Sequence, residues 1–262
     1  MSAPRMTPGM KVRLGARLLL LQARWDPARL QGPGFAFALD PWLQVCWGGD
    51  PSELLAARRR HLEHFNTHPI AAWLTAGIVC RQEAAASSLL GAAREAEIRK
   101  IGPLKMRLGA ALAALYDSFF WGALRPASAL AGILAAQAAY LLGSPHALSW
   151  AVAAALSVYN VPAVMARIFG LWRGWADGER AAAELTKLSV QTWIRGLRWA
   201  TMGGAFVAFG IGAWPLSGGD RLIAVLTFAA GLILTRRGVS PLAQLGLAGV
   251  GGMAVSAAGL RL

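Results

Sequence analysis

The sequence predicts an all-α polytopic membrane protein, in which transmembrane helices combine with re-entrant hairpins and interfacial amphipathic helices. Three observations carry this. Four windows, 126–166, 199–219, 222–235 and 238–260, contain no Asp, Glu, Lys or Arg, and about 20 apolar residues suffice to cross a bilayer. Hydrophobic residues make up 56% of the 262 and charged residues only 15%, against ~25% charged in an average soluble domain. The net charge of +13 is unevenly laid out, with basic residues crowding the first 107 positions and the gaps between apolar runs. Orientation by positively charged cytoplasmic loops produces that pattern, so the cationic segments are expected to face the cytoplasm and an anionic leaflet. A soluble protein this basic would suggest nucleic acid. Here the charge lies outside the apolar windows, and no nucleic-acid partner is expected.

Each element follows from the same kind of reading. Residues 1–10 hold Pro4, Pro8 and Gly9 and are expected to be loose. Over 11–24, Leu14, Leu18 and Leu21 recur at helical spacing opposite Arg13, Arg17 and Arg24. This reads as an amphipathic helix on the membrane surface or as an ordinary packed helix. The apolar run at 18–21 is too short for a secretory signal. Asp26-Pro27 and Gly32-Pro33-Gly34 interrupt the helix, and 35–43 is apolar but short, fitting a re-entrant or interfacial piece. Asp50-Pro51-Ser52-Glu53 opens the next helix, with Asp as N-cap, Pro at the first helical position and Glu reaching back. That helix is expected to run to about Thr67, because Pro69 restricts His68.

Residues 71–79 are apolar, 84–100 form a polar helical connector, and Gly102-Pro103 punctuates it. The stretch 104–125 is apolar but carries Asp117 and Arg125; 126–142 is a hydrophobic helix stopped by Gly143-Ser144-Pro145. The next, 146–166, contains Pro162, which predicts a kink or a discontinuous helix. Trp172, Trp175, Trp193 and Trp199 place 167–198 near the interface. Of the remaining apolar segments, 199–216 and 241–260 are long enough to span, while 222–235 suits a half-helix or re-entrant arm. The chain thus divides into an amphipathic and membrane region, 1–198, and C-terminal transmembrane segments, 199–262. Cys46 and Cys80 set no disulfide framework and read as small buried hydrophobes.

Three constellations stand out as candidate sites. The densest is Arg60-His61-Leu62-Glu63-His64-Phe65-Asn66-Thr67-His68-Pro69, where polar groups stand at the mouth of an apolar segment. His61, His64 and His68 fall three and four apart, so the first two would share a helical face. A metal site is the weakest reading, since the spacing is not H-E-x-x-H and no further ligands complete it. Ligand or partner binding at a helix end, and a purely structural cap with Asn66 and Thr67 holding local backbone, both stand. Next is Asp117-Ser118 with Arg125. An ionised Asp at membrane depth costs roughly 2.5–3.5 kcal/mol and must face protein or water. In a continuous helix Asp117 and Arg125 lie about 12 Å apart, so they pair only if the chain folds back, or else both snorkel to the surface. Last are Tyr159, Asn160 and Pro162 with Arg167, where Asn160 either seals a kink or lines a cavity. No phosphate-cradling loop and no nucleophile elbow occurs, so no catalytic set is expected.

Several blocks carry a resemblance, in order. They are Leu21-Gln22-Ala23 with Trp25, Arg29-Leu30-Gln31-Gly32 with Gly34-Phe35, the Arg60 to Pro69 stretch, and Asp117-Ser118 through Trp121-Gly122 to Leu124-Arg125-Pro126, followed by Asn160, Pro162, Arg167 and Gly170. In these the chain resembles the IID subunits of the mannose/fructose/sorbose class of bacterial sugar phosphotransferase systems. The resemblance implies a multi-pass subunit of the bacterial inner membrane. It would form a sugar-translocating unit with a IIC partner, in a hetero-oligomer of several copies served by cytoplasmic IIA and IIB phosphocarriers. It implies a hexose-like sugar, no cofactor and no phosphorylated histidine here. The substrate or translocation candidates are then Glu63, Asn66, Thr67, His68, Asp117, Ser118, Arg125 and Asn160. One segment departs: the family reads close to G-P-L-A-G-I-G-D-S, whereas Tyr116 here stands where a glycine is expected. A transport-inactive regulatory or scaffold protein is therefore the alternative.

Overall fold

Helices account for all the regular structure of the computed structural model, which describes residues 2–187, 190–216 and 218–236. α1 (Pro8–Leu18) starts at a Thr7 side-chain cap. A 3-10 turn follows at Leu21–Arg24, so the predicted helix over 11–24 is two pieces. α2 (Gly32–Trp47) begins at the glycines expected to break a helix. Gly32-Pro33 suits a first turn, where a missing N–H costs nothing. The apolar run 35–43 is the middle of this packed helix rather than a short separate piece, with Phe35, Leu39, Trp42 and Leu43 all buried.

α3 (Pro51–Leu62) is capped by Asp50, whose Oδ1 accepts from the backbone N–H of Ser52 and Glu53. It ends five residues before the expected Thr67. Phe65 instead pairs its backbone with the strand-like turn at 29–31: its N–H donates to Arg29 O (3.2 Å) and its carbonyl accepts from Gln31 N–H (2.8 Å). That pairing needs extended backbone at 63–67, and Glu63 has φ −61°, ψ 163°.

α4 (Ala71–Ser88) continues through Arg81 and Glu83. α5 (Gly91–Tyr116) passes through Gly102-Pro103 without stopping. Burial of Ile101, Leu104, Lys105 and Leu108 holds it together there. A π-helical segment, Asp117–Leu124, then leads directly into α6 (Arg125–Leu141). The chain does not fold back at Gly122, so Asp117 and Arg125 do not pair by reversal. Gly143, at φ 70°, forms the turn to α7 (Ala147–Asp177), which runs through Pro162 as one helix. α8 (Glu179–Lys187), α9 (Val190–Ala213) and α10 (Gly218–Arg236) complete the described residues. The apolar segment expected at 241–260 lies outside them.

Among the described residues two helices are long and apolar enough to cross a membrane, Gly91–Leu141 (51 residues) and Ala147–Asp177 (31 residues). Only 6% of α7's apolar window is buried within the chain. Leu148, Trp150, Leu156 and Phe169 all stand more than half exposed. Such a surface is at home in lipid or against a partner, not in water. α4 packs on α7 through small residues. A Cβ added to Gly77 would collide with the Leu171 carbonyl, and one on Gly174 would lie 3.0 Å from Ile78 N. Glycine at such crossings lets two backbones approach. One hydrophobic cluster joins α1–α4 around Phe35, Trp42 and Trp73, and a second joins α4, α5, the π segment and α7 around Leu74, Leu108, Tyr116 and Phe120.

Candidate functional site

The polar stretch from Arg60 to Pro69, which begins in the last turn of α3, is divided by the fold into an inner and an outer half. On the inner side, Arg60 and His61 reach a fully buried carboxylate, Glu83 of α4. Arg60 Nε and Nη2 donate to the two Glu83 oxygens, both at 2.7 Å. His61 Nε2 lies 2.8 Å from Oε1, and Trp47 Nε1 donates to Oε2 at 2.7 Å. Burial raises the Glu83 pKa, but the hydrogen bonds from Arg60 and His61 together outweigh it and hold the carboxyl down to about 2. Burial lowers the pKa of His61 against the pull of Glu83. His61 is therefore a neutral ring donating Nε2–H to a carboxylate, a charge-assisted hydrogen bond rather than an ion pair.

The outer half is residues 63–69. Gln31, at the start of α2, clamps Thr67 twice: its Nε2 donates to Thr67 O (2.8 Å) and its Oε1 accepts from Thr67 N–H (3.0 Å). His68 Nδ1 accepts from Ile70 N–H at 3.2 Å, which leaves the ring proton on Nε2. That Nε2 and the Thr67 hydroxyl are buried and have no hydrogen-bond partner among the described residues. The His68 ring stacks on Phe120 (centroids 5.4 Å, 25°) and meets Tyr116 and Trp121, each at 6.0 Å. Burial lowers the His68 pKa; the Asp117 charge opposes this and Arg167 adds to it. His68 is thus a neutral donor set in an aromatic wall, within the field of a carboxylate.

The structure brings some predicted residues together and separates others. Thr67, His68 and the π segment carrying Asp117 and Ser118 adjoin, and the side chains of Asn66 and Asp117 are exposed beside them. Arg125 lies over the Trp121 ring at 5.0 Å, so Asp117 is not its partner. Glu63 is exposed at the α3 terminus with its carboxylate toward Gly102 of α5. Asn160 is exposed on α7 and donates to Leu156 O in its own helix (2.9 Å). His61 and His64 do not share a site, because one is buried and the other exposed. Among the described residues no group of three or more His, Cys, Asp or Glu is arranged to hold a metal ion.

Sequence reasoning missed Glu83, Lys105 and Gln31. For Glu83 a signal existed. It is the only acid between His64 and Arg94, and the adjacent donors Arg60 and His61 need an acceptor once α3 packs inward.

Residues 6–211 match the PTS system mannose/fructose/sorbose family IID component. The chain belongs to this family. Among curated IID relatives, the mannose-specific EIID component of Escherichia coli is 30% identical over 159 residues, covering 61% of this chain and 52% of that protein. The fructose permease IID component of Bacillus subtilis is 29% identical over 185 residues, covering 68% of this chain and 59% of that one. The matches thus span little more than half the length of these relatives. The fold is shared with a solved mannose transporter, ManYZ, in complex with a microcin (TM-score 0.55, 23% identity, 98% of both chains). A second membrane protein structure gives a TM-score of 0.67 at 22% identity, covering 98% of this chain and 99% of that one. The chain is a membrane component of this sugar phosphotransferase family.

Proposed function

We propose that this IID chain forms, with a IIC subunit, the translocation unit of a phosphoenolpyruvate-dependent transporter for a hexose-like sugar. The cytoplasmic IIA and IIB units then supply the phosphoryl group. The observation that carries the reading is the pair of buried polar groups at consecutive positions, Thr67 Oγ1 and His68 Nε2, that have no hydrogen-bond partner among the described residues. A buried donor left unpaired costs about 1–3 kcal/mol, a cost that a hydroxyl-rich ligand or a partner's polar groups would relieve. An aromatic wall beside exposed Asn66 and Asp117 suits such a ligand, as sugar sites join a flat apolar face to a few oriented polar groups. The E. coli and B. subtilis relatives, named for mannose and fructose, support the substrate class. The charge-poor part of the Gly91–Leu141 helix and α7 cross the inner membrane in opposite directions, with the basic N-terminal region on the cytoplasmic side and near anionic lipid.

The test is phosphoenolpyruvate-dependent uptake in membrane vesicles holding the IIC partner and the soluble units, with and without this chain. Uptake that needs the chain, and falls by about 10-fold or more in Asp117→Asn, as lost electrostatic positioning predicts, supports the reading. Uptake independent of the chain refutes it. A second reading, a regulatory or scaffold subunit without transport, is favoured by Tyr116. Its ring fills the space beside His68 and Phe120 (6.0 and 5.6 Å) where the family pattern has glycine. A stable IIC complex with no flux, and flux restored by Tyr116→Gly, would decide for it.

A further inference from the structure

Residues 63–69 have no helix or sheet of their own to hold them. Segments of that kind move unless something ties them down. Here the ties come from three separate elements. Lys105 of α5, only 1% exposed, donates Nζ–H to the Arg60 carbonyl at 2.8 Å. This satisfies one of the carbonyls left open at the α3 terminus. Glu83 of α4 fixes the side chains of Arg60 and His61, and Gln31 of α2 fixes the backbone of Thr67 in both directions. Burying an arginine, a lysine and a carboxylate returns little net stability, since apolar replacements of similar volume are often as stable or more so. What such a hub provides is a fixed geometry.

Lys105 also sits on the helix that leads into the π segment. Twelve residues separate it from Asp117, about 18 Å along a helix. Its bond to Arg60 is therefore one of the contacts that tie residues 66–68 to the helix carrying residues 117–121. Gly109, one turn beyond Lys105, allows the approach: a Cβ there would lie 3.0 Å from the Phe65 ring and 3.1 Å from Asn66 O.

We propose that Lys105, Glu83 and Gln31 are positioning residues of the translocation site, holding the Asn66–Thr67–His68 edge in register with Asp117. This rests on the transport reading above. It is tested with Lys105→Met, Lys105→Arg and Gln31→Glu in the full chain with its IIC partner. Lys105→Met and Gln31→Glu are expected to raise the half-saturating sugar concentration about tenfold, with a maximal rate per complex within about twofold, because misplaced binding groups cost affinity before anything else. Lys105→Arg, which keeps a donor, is expected to recover most of the loss. An unchanged half-saturation, with rates falling only as the amount of complex falls, would overturn the proposal. A second measurement does not depend on transport. Spin labels at His64→Cys and Ala114→Cys, in a chain without Cys46 and Cys80, report the separation of the two halves. A shifted or broadened distance distribution in Lys105→Met supports positioning, and an unchanged one overturns it. If the unsubstituted complex moves no sugar, the transport reading fails while the label distances still decide the positioning role.

Discussion

Removing the charge from Glu83 leaves the Arg60 guanidinium inside the protein without its carboxylate. Breaking one partner of a buried pair costs about 3–5 kcal/mol, so Glu83→Gln is expected to lower the thermal midpoint of the purified complex strongly. A midpoint within a degree or so of the parent would exclude the hub as an ionic one. The two buried histidines give a second prediction. Burial holds both His61 and His68 below the ordinary histidine value. The folded chain therefore binds fewer protons near pH 6 than the unfolded chain. Stability from these groups is full above about pH 6.5 and is lost as pH falls through the lowered folded values. The contribution of Glu83 is lost at lower pH, between its ordinary 4.5 and about 2. The midpoint should fall as pH drops below about 6.5; a rise there would contradict the neutral assignment. At this scale the sequence marks Asn66, Thr67, His68 and Asp117 as candidates, because they are costly residues among apolar ones. Glu83 stayed hidden because its partners come from α2 and α3, far away in the chain.

The packing of elements depends on a few positions where backbones meet. Gly77 and Gly174 bring α4 and α7 together. Gly77→Ala places a methyl against the Leu171 carbonyl and is expected to cost about 1–3 kcal/mol by overpacking. The measurement is the yield of folded, detergent-stable protein, with Gly49→Ala, where an added Cβ meets nothing within 4 Å, as the control. Equal yields would mean that the helices tolerate separation. Most helices were readable from apolar periodicity and caps, α3 from Asp50 and α6 from its Gly143 stop. The misread boundaries share one physical cause. Gly32-Pro33 and Gly102-Pro103 look like breaks locally, yet packing of their neighbours carries a helix through or starts one there. The α3 terminus moved the other way: a backbone pairing between Phe65 and residues 29–31 outweighed local helix preference. No local pattern encodes that contact.

On the scale of the molecule, the Gly91–Leu141 helix reaches about 75 Å at 1.5 Å per residue, and α7 returns beside it. A bilayer core is only about 30 Å thick. In the proposed topology the charged first part of the helix, with Arg94, Arg99, Lys100 and Lys105, would stand outside the membrane on the side of α1–α3, and the α6–α7 turn on the other. A cysteine at Ser144 should react with an impermeant maleimide from outside intact cells, and one at Arg13 only after permeabilisation; the reverse pattern would invert the topology. The all-helical membrane character was legible from the charge-free windows, because solvation in lipid acts on whole segments. How α2, α4 and α5 converge on one loop was not legible, since it depends on contacts between residues far apart in sequence. The unbroken passage from α5 through the π segment to α6 has a mechanical consequence. A rod gripped at Lys105 and, in the proposed topology, immersed in lipid beyond it would behave as a lever pivoting at the grip. A tilt of about 10° would carry Asp117, about 18 Å away, through about 3 Å. Bilayer thickness, by setting that tilt, would then act as a dial on the spacing of the site.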